Sequence, residues 1–265
     1  MMRASVAASA LFALAACSMP QLSSRTDEPA FKPTVTTTGS DSKARDRARI
    51  HTELAASYYE VGNISVALEE VREALKAEPQ YGPAYNVAGL VYAELKEDQL
   101  AQENFLQALR IDPLDSDANN NYGRFLCERK RVDEAVRYFL AALRNPLYKT
   151  PERSYVNAGL CLRRRGDTAG AQDYFHRALK LHASQPQALY QLADIAYSRR
   201  EYPLAKQYLI RLEKVSPANP ELLWLAVRLE RKLGDRDAAA SYSTQLTRNF
   251  PQSKEARALQ AGIDE

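Results

Sequence analysis

From residue 44 onward, small and apolar residues recur on a fixed beat. An alanine, an apolar residue four positions on and a small or apolar one seven on appear as Ala67/Val71/Ala74, Ala101/Phe105/Ala108 and Ala135/Phe139/Ala142. The same triplet returns as Ala171/Phe175/Ala178, Ala205/Leu209/Leu212 and, in weaker form, Ala239/Ser243/Leu246. Offsets of four and seven put the three side chains on one face of a helix. The first members of the triplets are separated by 34, 34, 36, 34 and 34 residues. Pro79, Pro113, Pro217 and Pro251 close several units, and Gly89/Tyr92, Gly123 and Gly159 keep step in the segment before each triplet. The pattern predicts six helix–turn–helix units over residues 44–251, with residues 252–265 as a further helix covering the last. Prolines at this spacing exclude the long continuous helices of a coiled coil.

Six matches in register resemble the tetratricopeptide (TPR) pattern, in which the small positions let the two helices of a unit approach closely and aromatic residues fill the seam to the next unit. No unit buries its apolar face alone, so an array of them stacks. The expected fold is therefore all-α, a right-handed superhelical solenoid of six repeats. A two-residue insertion falls between the third and fourth units, in "RNPLYKTPERSYVNAGLC", where Pro146 and Pro151 flank Tyr148 and Lys149. An insertion in such an array belongs in a loop.

Upstream of the repeats the pattern changes twice. Residues 18–42 are rich in Ser, Thr and Pro with no apolar period, and 17–43 is expected to be a tether. About 26 flexible residues span on the order of 28 Å, with a stretched limit of roughly 85 Å. Before it, one arginine, Arg3, precedes an apolar run from Ala4 to Ala16 broken only by Ser5 and Ser9. That run is shorter than the roughly 20 residues a membrane-spanning helix needs, and residues 1–16 have the layout of a signal peptide. Leu14-Ala15-Ala16-Cys17 resembles a bacterial lipobox, which implies cleavage before Cys17 and a lipid on its sulfur. Two acyl chains anchor a protein stably at about 0.8 kcal/mol per buried methylene. Ser18, where an aspartate would signal inner-membrane retention, points to the periplasmic face of the outer membrane.

A more specific resemblance lies in the middle of the array. Asn120-Asn121-Tyr122-Gly123-Arg124-Phe125-Leu126 opens the third unit, and Tyr148 with Pro151-Glu152-Arg153 leads into the fourth. With the lipobox and six repeats, these resemble the PilF/PilW family of type IV pilus biogenesis lipoproteins. That resemblance implies a pilotin, which binds the type IV pilus secretin, carries it to the outer membrane and promotes its multimerisation. The competing expectation is a TPR scaffold lipoprotein for outer-membrane protein insertion or cell-wall assembly.

Composition removes other classes. Lys and Arg number 36 against 33 Asp and Glu, a net of +3, so no strong field for nucleic acid follows. Phosphate loops, a Gly-x-Ser-x-Gly elbow and His-Glu-x-x-His are all missing from the sequence, and the expectation is a non-enzyme without cofactor or metal. Cys127 and Cys161 fall at positions 12 and 10 of neighbouring first helices. Helix axes about 8–10 Å apart, against the roughly 7 Å Cα limit of a disulfide, predict two free thiols.

Binding is the remaining possibility. In this fold the first helices line the concave face, chiefly at positions 2, 5, 9, 12 and 13, and the units are taken to start at residues 48, 82, 116, 152, 186 and 220. The first two units then present Thr52, Ala56, Tyr59, Asn86, Leu90 and Ala93 as the partner-binding groove, with Thr52, Ala56 and Ala93 as floor and Tyr59 and Leu90 as walls. Later units carry Arg124, Arg153, Arg163, Arg164, Arg228, Arg231 and Lys232 beside Val156, Leu160, Tyr190, Tyr197 and Trp224. The three aromatics are either groove residues or inter-unit packing, since a phase error of one residue exchanges the two. Asn119-Asn120-Asn121 hints at a carboxylate clamp, but Thr52, Ala56 and Leu90 occupy places where a clamp needs Lys or Asn. Asn121 and Asn157 are expected to hydrogen-bond within the repeats.

Overall fold

The computed structural model describes residues 39–262, so residues 1–38, with Cys17, the leader and most of the tether, lie outside the described residues. The first repeat pairs α1 (Gly39–Glu60) with α2 (Ile64–Ala77), and the second α3 (Gly82–Glu94) with α4 (Asp98–Ile111). The third pairs α5 (Ser116–Glu128) with α6 (Val132–Ala142), and the fourth α7 (Pro151–Arg164) with α8 (Thr168–Leu181). Then come α9 (Pro186–Ser198) with α10 (Tyr202–Glu213), α11 (Pro220–Leu233) with α12 (Arg236–Asn249), and α13 (Lys254–Gln260) packed on both members of the last pair. The described residues contain helices and turns only. Helix α1 takes in residues 39–43, which composition alone had assigned to the tether; the run of Lys, Ala and Arg that follows favours helix. None of the described helices is long and apolar enough to cross a membrane.

Each first helix packs on its own second helix, and α1, α3, α5 and α9 also pack on the next first helix. The turn between the two helices has the same geometry in all six repeats. Its fifteenth-position residue, Gly62, Lys96, Lys130, Gly166, Arg200 or Gly234, is left-handed, with φ between 61° and 92°. Glycine takes that conformation freely, whereas the three basic residues hold it at some cost. The two-residue insertion lies where expected. Residues 143–150 join α6 to α7, twice the length of the four-residue connection at 112–115, and Leu147 at its tip is exposed.

Within a repeat the helices are held by a size match. At Gly89, Gly123 and Gly159 an added Cβ would lie 2.7, 2.7 and 2.6 Å from the rings of Phe105, Phe139 and Phe175, each from the second helix of its own repeat. All three rings are buried. In the other repeats the same two positions read Ala55/Val71, Ala193/Leu209 and Val227/Ser243, so the first side chain grows as the second shrinks. A close-packed interior requires this, because either excess or missing volume costs stability.

The two thiols correct the sequence-based expectation. Cys127 and Cys161 form a disulfide between α5 and α7, with Cα atoms 5.7 Å apart. The expectation compared an axis-to-axis distance with a Cα limit. Each Cα lies about 2.3 Å off its axis, so facing residues on helices about 8–10 Å apart have Cα atoms only about 4–5 Å apart. The bond closes a 34-residue loop and ties the third repeat to the fourth across the insertion. Replacing both cysteines by serine, or reducing the bond, is expected to lower stability by about 2–4 kcal/mol. Thermal melts with and without reductant check this, and identical midpoints would contradict the bond.

Candidate functional site

The first helices of the second and third repeats frame a cavity of about 110 Å³, closed on one side by Tyr59 of α1. Leu90 and Ala93 of α3 and Asn121, Arg124 and Glu128 of α5 line it. A second cavity, about 140 Å³, shares Arg124 and Glu128 and continues over the disulfide to Asn157, Leu160 and Arg164 of α7. The two form one polar-rimmed groove across the first four repeats. Neither approaches the roughly 300–1,000 Å³ of a small-molecule pocket, but each has room on the scale of one side chain.

Three of the six residues predicted from sequence come together here: Tyr59, Leu90 and Ala93. The other three do not. Thr52 is buried, its hydroxyl donating to the carbonyl of Ala48 at 2.7 Å. Asn86 is also buried, and its side-chain oxygen accepts from Asn121 Nδ2 at 3.2 Å. Ala56 packs against the apolar cluster of Ala55, Ala67, Val71 and Val87. Position 5 of both units and position 9 of the first are therefore taken up by burial and internal hydrogen bonds rather than forming an open floor, while position 9 of the second, Leu90, reaches the cavity. Asn121, Arg124 and Glu128 take their place at the cavity; Arg124 and Asn121 were visible in the sequence, but assigned to later basic character and to packing. Asn121 does both, bonding to Asn86 while lining the cavity. Asn157 likewise donates to Asn120 Oδ1 at 2.9 Å, and Ser154 Oγ to the same oxygen at 3.3 Å, so asparagines link successive first helices.

The electrostatics of the rim are balanced. Glu94 and Glu128 stand with Lys96 and Arg124 around the cavity. Burial pushes the Tyr59 phenol up, only partly countered by Arg124, and the group stays a neutral hydrogen-bond donor at physiological pH. Arg129, at the edge, stacks on the Phe125 ring at 4.4 Å and binds Asp98, which fixes α5 against α4.

The later basic residues divide in two. Arg163 is engaged by Gln191 and Asp194, and Arg228 lies over the rings of Tyr197 and Trp224 with Asp194 at 3.8 Å. Trp224 is buried and Tyr197 packs against the core of the fifth and sixth repeats, whereas Tyr190 both packs on that core and lines a cavity of about 340 Å³ with Gln187 and Asn219. Arg124, Arg153, Arg164, Arg231 and Lys232 remain exposed. Among the described residues no three His, Cys, Asp or Glu side chains gather as a metal site.

Tetratricopeptide repeat families match residues 82–113, 104–137, 156–220 and 222–253. A 93-residue stretch, 35% of this chain, is 40% identical to the type IV pilus assembly protein PilF of Pseudomonas aeruginosa and spans 37% of that protein's length. The solved structure of Pseudomonas aeruginosa PilF superposes with a TM-score of 0.73 at 34% identity, over 83% of this chain and 99% of that one. The chain belongs to the PilF/PilW family. The crystal structure of PilW, a widely conserved type IV pilus biogenesis factor, agrees, with a TM-score of 0.70 at 33% identity over 80% of this chain and 98% of that one. The likeness to the two solved structures extends over 83% and 80% of this chain.

Proposed function

We propose that this PilF/PilW-family chain is a lipid-anchored pilotin: it binds the type IV pilus secretin in the groove of the first repeats, carries it to the outer membrane and promotes its multimerisation. The observation that carries the reading is the 34% identity across 99% of the PilF structure. The groove supports it, because side-chain-sized cavities in register along successive first helices suit an extended or helical protein segment. A Cys127–Cys161 disulfide supports export, since such bonds persist in oxidising compartments.

The physical logic is co-localisation. A secretin subunit held by a lipidated carrier follows the carrier's route, and a tether of the expected length raises the local concentration of subunits at the membrane. Cys17 is the attachment point in this reading. Cys17→Ala is expected to leave the repeats folded while abolishing palmitate labelling and releasing the protein from the outer membrane, with secretin multimers reduced or misplaced. Persistent labelling of the Cys17→Ala protein, or unchanged multimers in the outer-membrane fraction, would refute the anchoring role.

A further inference from the structure

Beside the two cavities of the groove, a larger one of about 310 Å³ opens where α5 turns into α6, next to the end of α7. Cys127, Glu128, Lys130, Val132, Arg164 and Arg165 line it, and its volume reaches the lower end of the small-molecule range. Cys127, Glu128 and Arg164 also line the 140 Å³ cavity, so the two adjoin at the disulfide. The floor is apolar: Cys127 and Val132 are buried, and the aliphatic stems of Lys130, Arg164 and Arg165 widen it. The charges around it are unequally matched. Glu128 is held by Arg129 at 2.8 Å, and Arg165 by Asp133 at 2.5 Å with Asp167 at 3.7 Å. Lys130 and Arg164 make no ion pair among the described residues. Lys130 also holds a left-handed backbone, φ 61°, at the turn position where glycine stands in the first, fourth and sixth repeats. A side chain kept there at a conformational cost is a candidate for binding, and Lys96, its counterpart one repeat earlier, lines the 110 Å³ cavity.

We propose that this cavity binds the carboxy-terminal residue of a protein segment, with an apolar terminal side chain on its floor and the terminal carboxylate between Lys130 and Arg164. Two free cations beside an apolar floor call for a ligand that is apolar and anionic at once. Arginine offers a carboxylate two parallel N–H donors, and lysine a further one. Beside an apolar surface these contacts are stronger than in open water. Continuity with the groove favours a protein chain over a small molecule, because a segment lying across α5 and α7 reaches the cavity past Arg164 and ends there. A phosphate fits less well, since its second negative charge meets the Glu128 carboxylate on the same wall. A fatty acid shares the apolar and anionic character but makes no use of the groove, and the test separates it from a chain terminus.

The inference goes beyond the pilotin reading and does not depend on it, since its probe is a peptide and not the secretin. A fluorescein-labelled pentapeptide, four alanines followed by a carboxy-terminal phenylalanine, is titrated into the full chain in detergent micelles and read by fluorescence polarisation. The peptide with a free carboxylate is expected to bind about 10-fold more tightly than the same peptide with an amidated terminus. Arg164→Gln should weaken binding of the free-carboxylate peptide about 10-fold and leave the amide unchanged. Lys130→Gly removes the other cation and installs the residue that this turn carries in three other repeats. It should weaken binding about 3- to 10-fold while melting stays within a few degrees of wild type, a split that a merely structural lysine would not give. Lys76→Gln, an exposed control on α2, should change neither. Equal affinity for the two peptides, or full affinity in both the Arg164→Gln and Lys130→Gly proteins, would overturn the proposal. So would displacement of the peptide by decanoate at concentrations below the peptide's own dissociation constant, because the site would then prefer a fatty acid.

Discussion

Leu90→Glu is expected to abolish capture of the secretin while leaving the circular dichroism spectrum of the solenoid unchanged and its melting within a few degrees of wild type. Leu90 lines the 110 Å³ cavity with Tyr59 and Ala93 and is only partly buried. The fold therefore tolerates a polar replacement there, whereas a bound chain does not. Losing the contact of one aliphatic side chain removes about 1.5–3 kcal/mol, roughly a 10- to 150-fold loss of affinity. Enclosing a carboxylate under a bound partner adds a desolvation cost on top. Glu94 and Glu128 already stand at this cavity, so a third carboxylate is held close to two others. A pull-down with purified secretin checks the prediction. Charge reversal of Arg228 and Arg231 in the sixth repeat should do much less, because Arg228 stacks on Tyr197 and Trp224 outside the groove of the first four repeats. Loss of capture in the Arg228/Arg231 protein with retention by Leu90→Glu would place the site elsewhere.

The second large effect concerns the frame that holds the groove open. Phe139→Ala is expected to destabilise the chain by about 3–5 kcal/mol, since the ring is buried against Gly123 and nothing nearby fills the space it leaves. The midpoint of melting should fall on the order of 10 °C for a domain of this size. The reverse error is informative too. Gly123→Ala gains up to about 1 kcal/mol of helix propensity, yet its Cβ would lie 2.7 Å from the Phe139 ring, and displacing a packed ring costs about 1–3 kcal/mol. Pairing it with Phe139→Leu reproduces the Ala193/Leu209 combination already present in the fifth repeat. The double variant should therefore be more stable than the sum of the two single changes predicts, by about 1 kcal/mol or more. Additive single effects in denaturant melts would mean that the two positions are not size-matched.

The repeat frame was legible because its cause is periodic. The same size constraint acts six times, and an alanine or glycine facing a larger residue every 34 positions records it directly. The insertion between the third and fourth repeats was legible for the same reason, as a break in the beat. The groove was read only in half. Tyr59, Leu90 and Ala93 stand at positions 12, 9 and 12 of their units, and there the fold's general phase holds. Thr52 and Asn86 sit at position 5, where a buried polar side chain is satisfied by its own helix at Thr52 and by the next repeat at Asn86; polarity in the sequence could not tell a satisfied buried group from an exposed one. Tyr197 and Trp224 illustrate the converse, aromatic residues whose rings pack inward and leave Arg228 stacked above them. The disulfide was missed through geometry rather than pattern, because the offset of each Cα from its helix axis had been left out.

The central claim is that the chain acts on the secretin at the outer membrane. Its most direct test is deletion of the gene, followed by gel analysis of heat-stable secretin multimers in separated inner and outer membranes. The account predicts that multimers disappear from the outer membrane and monomers accumulate, with recovery on re-expression of the wild-type chain. Multimers unchanged in both amount and location would contradict it.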